Sequence, residues 1–455
     1  MRPRGLWIGS GFRADDAPTA PRETAHEMAT APLRICLLTY RGNPRSGGQG
    51  GYVRMLSAAL TELGHSVDVW SGPPYPELPE GVNLIKVPSL DLWNERAFLR
   101  TPSLRELADP INLVEWAQTR IGRFPEPITF SRRVERSFRR GQAPHYDIVH
   151  DNQCLGPGIL SLRSRVPVVA TIHHPITMDR RIALKNTRNL MQMYGLLRWY
   201  SFVPTQLRVS RQIDHILTVS EASREDVQAE FRIAPERMRV VGNGIDLDVF
   251  HPLEGITRRT NRIVTTLSAD APVKGFRYLL DALADLRTRR PELEVIVVGT
   301  PGQTDTTERI ERLGLRDMIR FTGFIPAEDI TRHYAEATLA VVPSLYEGFG
   351  LPAGEAMACA VPVVSTAAGA LPEVVGRDGT CSVLVEPRSA PALARAIEEL
   401  LDDPARRDAM GKAGRQRVLE HFTWRRAAER TVDVYREAIG RHGHGNGKRN
   451  GSRAC

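Results

Sequence analysis

The segment SLYEGFGLPAGEAMACAVPVVS, residues 344–365, constrains the fold of this 455-residue chain more than any other stretch. It carries two glutamates, Glu347 and Glu355, with seven residues between them, on either side of a glycine-rich turn. Two apolar runs flank the turn, Thr338–Val342 before it and Val361–Val364 after it. Apolar runs joined by a glycine turn and a short helical stretch predict a βαβ unit, with both carboxylates at its mouth.

The residue types inside this turn predict the kind of ligand that it binds. Gly348 and Gly350 allow backbone conformations that are closed to other residues, and they bring bare amides close to a ligand. Pro352 suits the first turn of a helix, where its missing N–H costs nothing. Free amides and the helix dipole make a site for phosphate, whereas carboxylates accept hydrogen bonds from hydroxyls. Phosphate and hydroxyls together indicate a sugar nucleotide; the alternative is that both glutamates are solvated and the glycines only turn the chain.

The whole chain alternates between predicted strands and helices in two series, with a boundary near residues 245–258. The first series opens with the apolar strand Arg34–Tyr40, a glycine-rich turn and an amphipathic helix from about Tyr52 to Leu63. The other predicted strands are HSVDVWSG, Asn83–Val87, Asp147–His150, Val166–Ile172 and His215–Val219 in the first series, and Arg262–Ser268, Glu294–Val298, Ile319–Thr322, Leu339–Val342 and Val361–Val364 in the second. This alternation predicts two α/β domains, each a doubly wound parallel sheet.

The signature turn and the two series together resemble the family 4 retaining glycosyltransferases, which have the two-domain GT-B fold. The resemblance extends over residues 33–440 and implies two Rossmann-like doubly wound domains that face each other across a cleft. The implied plan is an N-terminal acceptor domain at 31–250, a nucleotide-sugar donor domain at 251–425, and a helix at 426–440 that crosses back to the first domain. Residues 1–30 and 441–455 are predicted to be a disordered extension and a disordered tail.

The resemblance implies donor-binding roles for the residues of the signature turn. Glu355 holds the ribose hydroxyls of the nucleotide, and Glu347 contacts the donor sugar as one of the catalytic residues. The amides around Phe349, Gly350 and Leu351 meet the diphosphate or the sugar.

Three residues outside the turn complete the site that the resemblance implies. Lys274 neutralises the diphosphate leaving group, where a fixed cation helps the transition state more than the ground state. An amide of the first glycine turn, at Gly48, approaches the diphosphate, and His173 hydrogen-bonds the donor or the transition state. Most family members also carry an arginine five or six residues before this lysine. Ser268 and Ala269 stand there in this chain, so either another cation substitutes or Ser268 and backbone amides take its part.

Polar residues also follow the strand DIVH, on the same sheet edge as this histidine. Asp151, Asn152 and Gln153 are predicted to contact acceptor hydroxyls from there. Asp246 and Asp248 form a DxD pair, but the family carries a similar sequence at the interdomain linker without metal. Both aspartates are therefore predicted to cap a turn or a helix. No cofactor and no divalent metal is expected.

Composition and charge narrow the compartment and the partners. The net charge is +8, and residues 116–210 hold 15 Arg or Lys against 5 Asp or Glu. Such a stretch favours peripheral contact with an anionic membrane, unless it is only a solvated face of arginine-rich helices. No nucleic-acid partner is expected, because basic and aromatic residues are not interleaved in any motif. The five cysteines lack CxxC spacing, and no apolar span or signal peptide is evident. These features predict a cytoplasmic protein, peripheral at the inner membrane face if the basic stretch binds lipid.

The residues and the resemblance together imply a retaining hexosyltransferase. It would move a sugar from a nucleoside diphosphate sugar to a hydroxyl of a glycan, a lipid or a small molecule, with the helical segments 92–142 and 179–211 walling the acceptor site. The alternatives are a nucleotide-sugar epimerase or a glycan phosphorylase on the same fold, or a non-catalytic module that binds nucleotide or glycan. The segment AGALPEVVG, with Glu373, resembles a family loop that packs beside the donor sugar.

Overall fold

The computed structural model describes residues 31–43, 48–94, 98–187, 189–267, 272–301 and 304–450. Within these ranges thirteen strands form two all-parallel sheets, one of seven strands and one of six. Residues from Leu33 onward belong to one compact unit that contains both sheets. The architecture is GT-B, as the resemblance implies.

The first half of the chain builds the seven-stranded sheet. Its strands are β1 Arg34–Thr39, β2 Ser66–Ser71, β3 Asn83–Lys86, β4 Ile148–Asn152, β5 Val168–Ile172, β6 His215–Thr218 and β7 Met238–Val240. Its helices are α1 Gly48–Glu62, α2 Leu104–Leu107, α3 Pro110–Arg120, α4 Glu126–Arg139, α5 Pro157–Leu162, α6 Ile176–Asn186, α7 Leu190–Trp199, α8 Val203–Ser210 and α9 Glu221–Phe231. The strands lie in the order β3-β2-β1-β4-β5-β6-β7. Because the order reverses direction between β1 and β4, the carboxyl ends of these strands open onto a crevice there.

The second half builds the six-stranded sheet. Its strands are β8 Arg262–Leu267, β9 Glu294–Gly299, β10 Ile319–Phe321, β11 Leu339–Val342, β12 Val363–Thr366 and β13 Ser382–Val385. Its helices are α10 Phe276–Leu286, α11 Thr304–Arg312, α12 Ala327–Glu336, α13 Leu351–Ala358, α14 Leu371–Val375, α15 Ala390–Asp402 and α16 Pro404–His421. The order is β10-β9-β8-β11-β12-β13, which again reverses between the first strand and the fourth.

Side-chain alternation along the strands divides each half into two apolar layers. In β8, Ile263 packs into the layer that contains helices α10 and α15, whereas its neighbour Val264 packs into the layer that contains α13. Successive strand residues point to opposite faces, so a sheet buried on both faces needs a continuous apolar run. This explains why the apolar runs in the sequence located most of the strands.

The structure differs from the sequence-based element predictions in length and at two strands. Helix α1 begins at Gly48 rather than near Tyr52, and β12 is shifted two residues toward the C-terminus from Val361–Val364. Strands β7 and β13, which have three and four residues and lie at sheet edges, were not predicted from the sequence.

The last helix, α17, spans Trp424–Asn450 and extends past Gly440, where the sequence predicts its end. Arg441 lies 2.6 Å from Glu437 across one helical turn, a pairing that supports helix beyond the glycine. The helix packs in the same apolar cluster as β1 and α1 of the first half, through Tyr435 among others. The chain therefore returns to the first half, while residues 1–30 and 451–455 lie outside the described ranges.

Candidate active site

A cleft of about 470 Å³ lies between the carboxyl ends of the two sheets. It is lined by Gln49, Gln153, His173, His174, Val219, Asn243, Lys274, Glu347, Gly348, Phe349, Gly350, Leu351, Pro352 and Glu355. The tertiary structure thus brings together both glutamates, the lysine, the histidine and the three residues of the turn that the resemblance singled out. Gln153 of the three acceptor-side candidates also lines this space.

Helix α13 begins at the floor of this cleft, directly after the glycine turn. Its N-cap residue, Gly350, has φ +104°, a conformation that side-chain-bearing residues rarely adopt. A Cβ at this position would also meet the side chain of Leu371 at 2.8 Å. Pro352 occupies the first turn, as predicted. The positive end of the helix dipole therefore opens onto the cleft, where an anion would be stabilised.

Lys274 and Glu347 form an ion pair within the cleft. Lys274 Nζ lies 2.8 Å from Glu347 Oε1, and Ser344 Oγ donates to the same oxygen at 2.7 Å. The turn that carries the lysine packs directly onto the end of β11. The approach is so close that a Cβ at Gly275 would collide with the carbonyl oxygen of Pro343. Leu345 N donates to Val273 O at 2.7 Å and secures this approach. The glycine after the lysine thus permits the short distance between cation and carboxylate.

Glu355 lies one helical turn into α13 and lines the same cleft. Burial raises its pKa to about 7, while the positive charge of Lys274 acts in the opposite direction. A carboxylate whose pKa is raised this far has few hydrogen-bond donors to stabilise its charge. A ligand that supplies hydroxyls would stabilise its charged form.

His173 follows β5 and is half-buried at the edge of the first sheet. Its Nε2 lies 2.7 Å from Asn152 Oδ1, and the ring of Tyr52 packs edge-on at 4.6 Å. Because an amide oxygen only accepts hydrogen bonds, Nε2 carries the proton and Nδ1 is left as an acceptor. Burial, with a smaller contribution from neighbouring His174, lowers the pKa of His173 to about 3. The imidazole is therefore neutral at physiological pH.

The three residues predicted to contact the acceptor are placed differently from one another. Asp151 is fully buried, and its carboxylate accepts from the backbone amides of Cys154 and Leu155 at 3.2 and 2.7 Å. Asn152, also fully buried, orients His173 instead of facing the cleft. Gln153 does line the cleft, while its side chain also bonds the backbone of both histidines. Two of the three therefore support the strand end, because their polar groups find partners inside the protein.

The other sequence-based expectations fall at the margins of the site. Gly48 is the first residue of α1, and the adjacent Gln49 lines the cleft. Ser268 and Ala269, where the family arginine would stand, lie outside the described residues. Asp246 Oδ1 accepts from the backbone of Asp248 at 3.2 Å, so this pair forms a turn as predicted.

Sequence reasoning missed several cleft residues, of which Asn243 is the most informative. The residue is 9% exposed, and within the described residues its Oδ1 is buried without a hydrogen-bond partner. A buried amide oxygen left without a donor is uncommon and marks a position where a ligand can supply one.

Among the described residues no group of three or more His, Cys, Asp or Glu side chains converges closely enough to hold a metal ion. The expectation that no divalent metal takes part stays a prediction.

Two parallel sheets of this topology, facing across a cleft with a glutamate-flanked turn on one edge, define the GT-B fold. Residues 46–249 match the family model Glycosyltransferase Family 4, and residues 255–417 match Glycosyl transferases group 1. The chain is 46% identical over 412 residues to an MMP alpha-(1->4)-mannosyltransferase of Mycolicibacterium hassiacum, covering 90% of this chain and 99% of the relative. The chain belongs to the family 4 glycosyltransferases.

More distant relatives extend the comparison. A D-inositol 3-phosphate glycosyltransferase of Kribbella flavida is 29% identical over 445 residues, which is 92% of this chain and 98% of that protein. Among solved structures, sucrose-phosphate synthase from Thermosynechococcus elongatus superposes with a TM-score of 0.66 at 24% identity. It covers 90% of this chain and 99% of the solved chain, a likeness of fold alone. The chain is a glycosyltransferase.

Proposed function

We propose that this glycosyltransferase is a retaining hexosyltransferase that transfers mannose from a nucleoside diphosphate donor to an acceptor hydroxyl. The observation that carries the proposal is the convergence of Lys274, Glu347 and Glu355 on the N-terminus of helix α13 inside one cleft. A cation and a helix terminus suit a diphosphate, and the two carboxylates suit the hydroxyls of ribose and sugar. The identity of 46% to a mannosyltransferase over nearly the whole of that relative favours mannose and an α-(1→4) linkage.

The proposed reaction proceeds on one face of the sugar. The bond between the anomeric carbon and the phosphate oxygen breaks, and the acceptor oxygen bonds the same carbon on the same face. The acceptor proton passes to the departing phosphate oxygen. Lys274 and the helix terminus stabilise the charge that the leaving diphosphate gains, and Glu347 orients the donor sugar. No second carboxylate is needed as a nucleophile on the opposite side.

His173 takes a positioning role toward the donor in this proposal. With a pKa near 3, its ring is neutral and offers Nδ1 as a hydrogen-bond acceptor. A group that is unprotonated at neutral pH and has so low a pKa is a poor general acid and a weak general base. The leaving phosphate is then the proton acceptor in the reaction.

The proposal is tested first by a thermal-shift screen of nucleoside diphosphate sugars, followed by calorimetry with the best nucleotide. Glu355→Gln should weaken nucleotide binding about 10- to 100-fold, because hydrogen bonds to a charged carboxylate are lost. Glu292→Gln is the matched control. Glu292 is exposed in the turn before β9, at the amino ends of the strands, whereas the cleft lies at their carboxyl ends. Equal affinity of wild type and Glu355→Gln would contradict the donor site.

Product analysis separates the proposal from the alternatives. Mass spectrometry should show one added hexose on an acceptor oligosaccharide, and nuclear magnetic resonance should show retention of the α configuration. Consumption of donor without any acceptor would indicate an epimerase, and sugar phosphate formed from glycan and phosphate would indicate a phosphorylase. Nucleotide binding without turnover on any acceptor would indicate a binding module. Activity after treatment with a chelator tests the prediction that no metal is required.

We also propose peripheral contact with an anionic membrane through the basic stretch 116–210. Twelve large hydrophobic side chains are exposed among the described residues, and six of them lie within this stretch. Leu190, Tyr194 and Leu197 share one face of helix α7, which is also basic at Arg198. No helix among the described residues is long and apolar enough to cross a bilayer.

An exposed apolar face beside arginines suits the surface of an anionic bilayer. Co-sedimentation should be stronger with phosphatidylglycerol vesicles than with phosphatidylcholine vesicles, and Leu190→Ser with Leu197→Ser should weaken it. Binding that is unaffected by lipid charge and by salt would contradict the contact.

A further inference from the structure

The two halves of the chain meet at the first turn of helix α9, beside the cleft but outside its lining. Helix α9, Glu221–Phe231, belongs to the first half, and its N-cap residue is Ser220. Like any helix, it begins with backbone amides that have no partner within the helix. Where these amides find partners determines how the helix end is held.

Two of these amides are bound by a residue from the other half of the chain. Glu373, on α14, accepts from the amide of Glu221 at 2.8 Å and from the amide of Ala222 at 2.8 Å. The third amide, of Ser223, is bound at 2.9 Å by Ser220 within the first half. A carboxylate that caps two amides at the positive end of a helix makes a charge-assisted, geometrically demanding contact.

Two hydroxyls of the same turn reach the signature turn. Ser220 Oγ donates to the carbonyl of Gly348 at 2.7 Å, and Ser223 Oγ lies 2.9 Å from that oxygen. Ser223 Oγ is also 3.1 Å from the carbonyl of His173. One hydroxyl therefore lies between the strand end that carries the histidine and the residue that follows Glu347.

The helix that carries Glu373 is also hydrogen-bonded to the signature turn on the second-half side of the cleft. The carbonyl of Glu347 accepts from Ala370 N at 2.9 Å, at the start of the helix that carries Glu373. Arg417 of α16 holds the backbone carbonyls of Glu373 and Val374 at 2.8 Å each. A displacement of Glu373 would thus be passed to the backbone of Glu347.

We infer that Glu373, with Ser220 and Ser223, forms an interdomain clasp that positions the donor turn against the His173 strand end. The clasp residues are not among those that line the cleft, so they act through Glu347, Gly348 and His173 as positioning residues. The inference rests on the proposed function and adds a device that holds the catalytic halves in register. The two amides of α9 and the carboxylate are satisfied together only while the halves are apposed.

The test compares Glu373→Gln with wild type and with the control Glu292→Gln. The amide keeps the size of the side chain but places a donor against a backbone donor. Because the donor binds to the second half, the nucleotide dissociation constant should change less than about twofold, while kcat falls about 10- to 100-fold. Ser220→Ala with Ser223→Ala should have the same signature, and small-angle scattering should show a larger radius of gyration for Glu373→Gln.

Four outcomes decide the inference. Lowered kcat with unchanged nucleotide affinity and an unchanged melting temperature supports the clasp. Unchanged kcat overturns it, and so does a parallel loss of kcat, nucleotide affinity and melting temperature, which would show a role in folding of the second half. If the wild type binds no nucleotide, the proposed function fails by itself, and the scattering comparison then supports or overturns the clasp without it.

Discussion

The two edges of the cleft are built from similar parallel sheets but use their polar groups in opposite ways. On the second-half edge, Lys274, Glu347 and Glu355 face one another and the open cleft, and Glu355 is held near neutrality. On the first-half edge, Asp151 and Asn152 form hydrogen bonds with other residues inside the protein. The difference teaches that position at a strand end does not make a residue a ligand contact. Its side chain must also face the cleft, whereas Asp151 and Asn152 form their hydrogen bonds within their own sheet edge.

The largest expected effect comes from removing the cation of the second-half edge. Lys274→Met should lower kcat about 100- to 1000-fold, because the leaving diphosphate loses the charge that stabilises it most in the transition state. Steady-state kinetics with the donor found by the screen provide the measurement. Lys412→Met, an exposed lysine on α16, is the control.

A smaller loss for Lys274→Met, equal in kcat and in donor affinity, would contradict this role. Glu347 would be left without its cation in that variant, so Lys274→Met with Glu347→Gln separates the two contributions. If the lysine acts on the leaving group, the double variant should be no more active than Lys274→Met.

A smaller effect is expected from pH, through Glu355 on the same edge. Its pKa in the unliganded protein is about 7, and the hydroxyls of the donor require the charged form. Nucleotide affinity should therefore rise about tenfold as the pH increases from about 6 to about 8, and Glu355→Gln should flatten that profile. Calorimetry across this range is the measurement.

The same pKa determines the sign of the effect on stability. Because the folded-state pKa of Glu355 lies above its ordinary value, protonated Glu355 favours the unliganded fold. That contribution is full below the ordinary pKa and is lost as the pH rises through about 7. Melting temperatures of wild type should fall relative to Glu355→Gln over this interval, and parallel curves would contradict the assignment.

The smallest effect on transfer is expected from Asp151, on the first-half edge. Asp151→Ala leaves the amides of Cys154 and Leu155 buried and unsatisfied, so the free energy of unfolding should decrease by about 1 to 3 kcal/mol. The KM for the acceptor should not change. Urea denaturation measures the first quantity and initial rates the second, and an increased acceptor KM without loss of stability would restore Asp151 as an acceptor contact.

Much of the fold was predictable because parallel strands buried on both faces need continuous apolar runs. Leu339–Val342 is a strand within the predicted bounds, and Arg34–Tyr40 differs by one residue. Of the four short edge strands, β3 and β10 were predicted from their apolar residues, whereas β7 and β13 were not. The helix that continues past Gly440 depends on contacts between turns that a glycine-rich sequence does not reveal.

The site was predictable where chemistry is concentrated in a short segment. The signature turn carries its glycines, its proline and both glutamates within nine positions of one another. The local sequence therefore predicts both the conformation of the turn and the polar groups that it presents. The clasp was not predictable, because Ser220 and Glu373 are 153 positions apart and each looks like an ordinary helix residue. Only the tertiary structure brings Glu373 to the helix that Ser220 caps.

The sequence by itself determined the class of this protein and the residue types of the signature turn, since both depend on backbone propensity and on residues that are neighbours in the chain. The tertiary structure decided the pairing of Lys274 with Glu347, the near-neutral pKa of Glu355 and the burial of Asp151. Each of these depends on distance and desolvation between residues far apart in sequence. Those quantities exist only once the two sheets have been packed against each other.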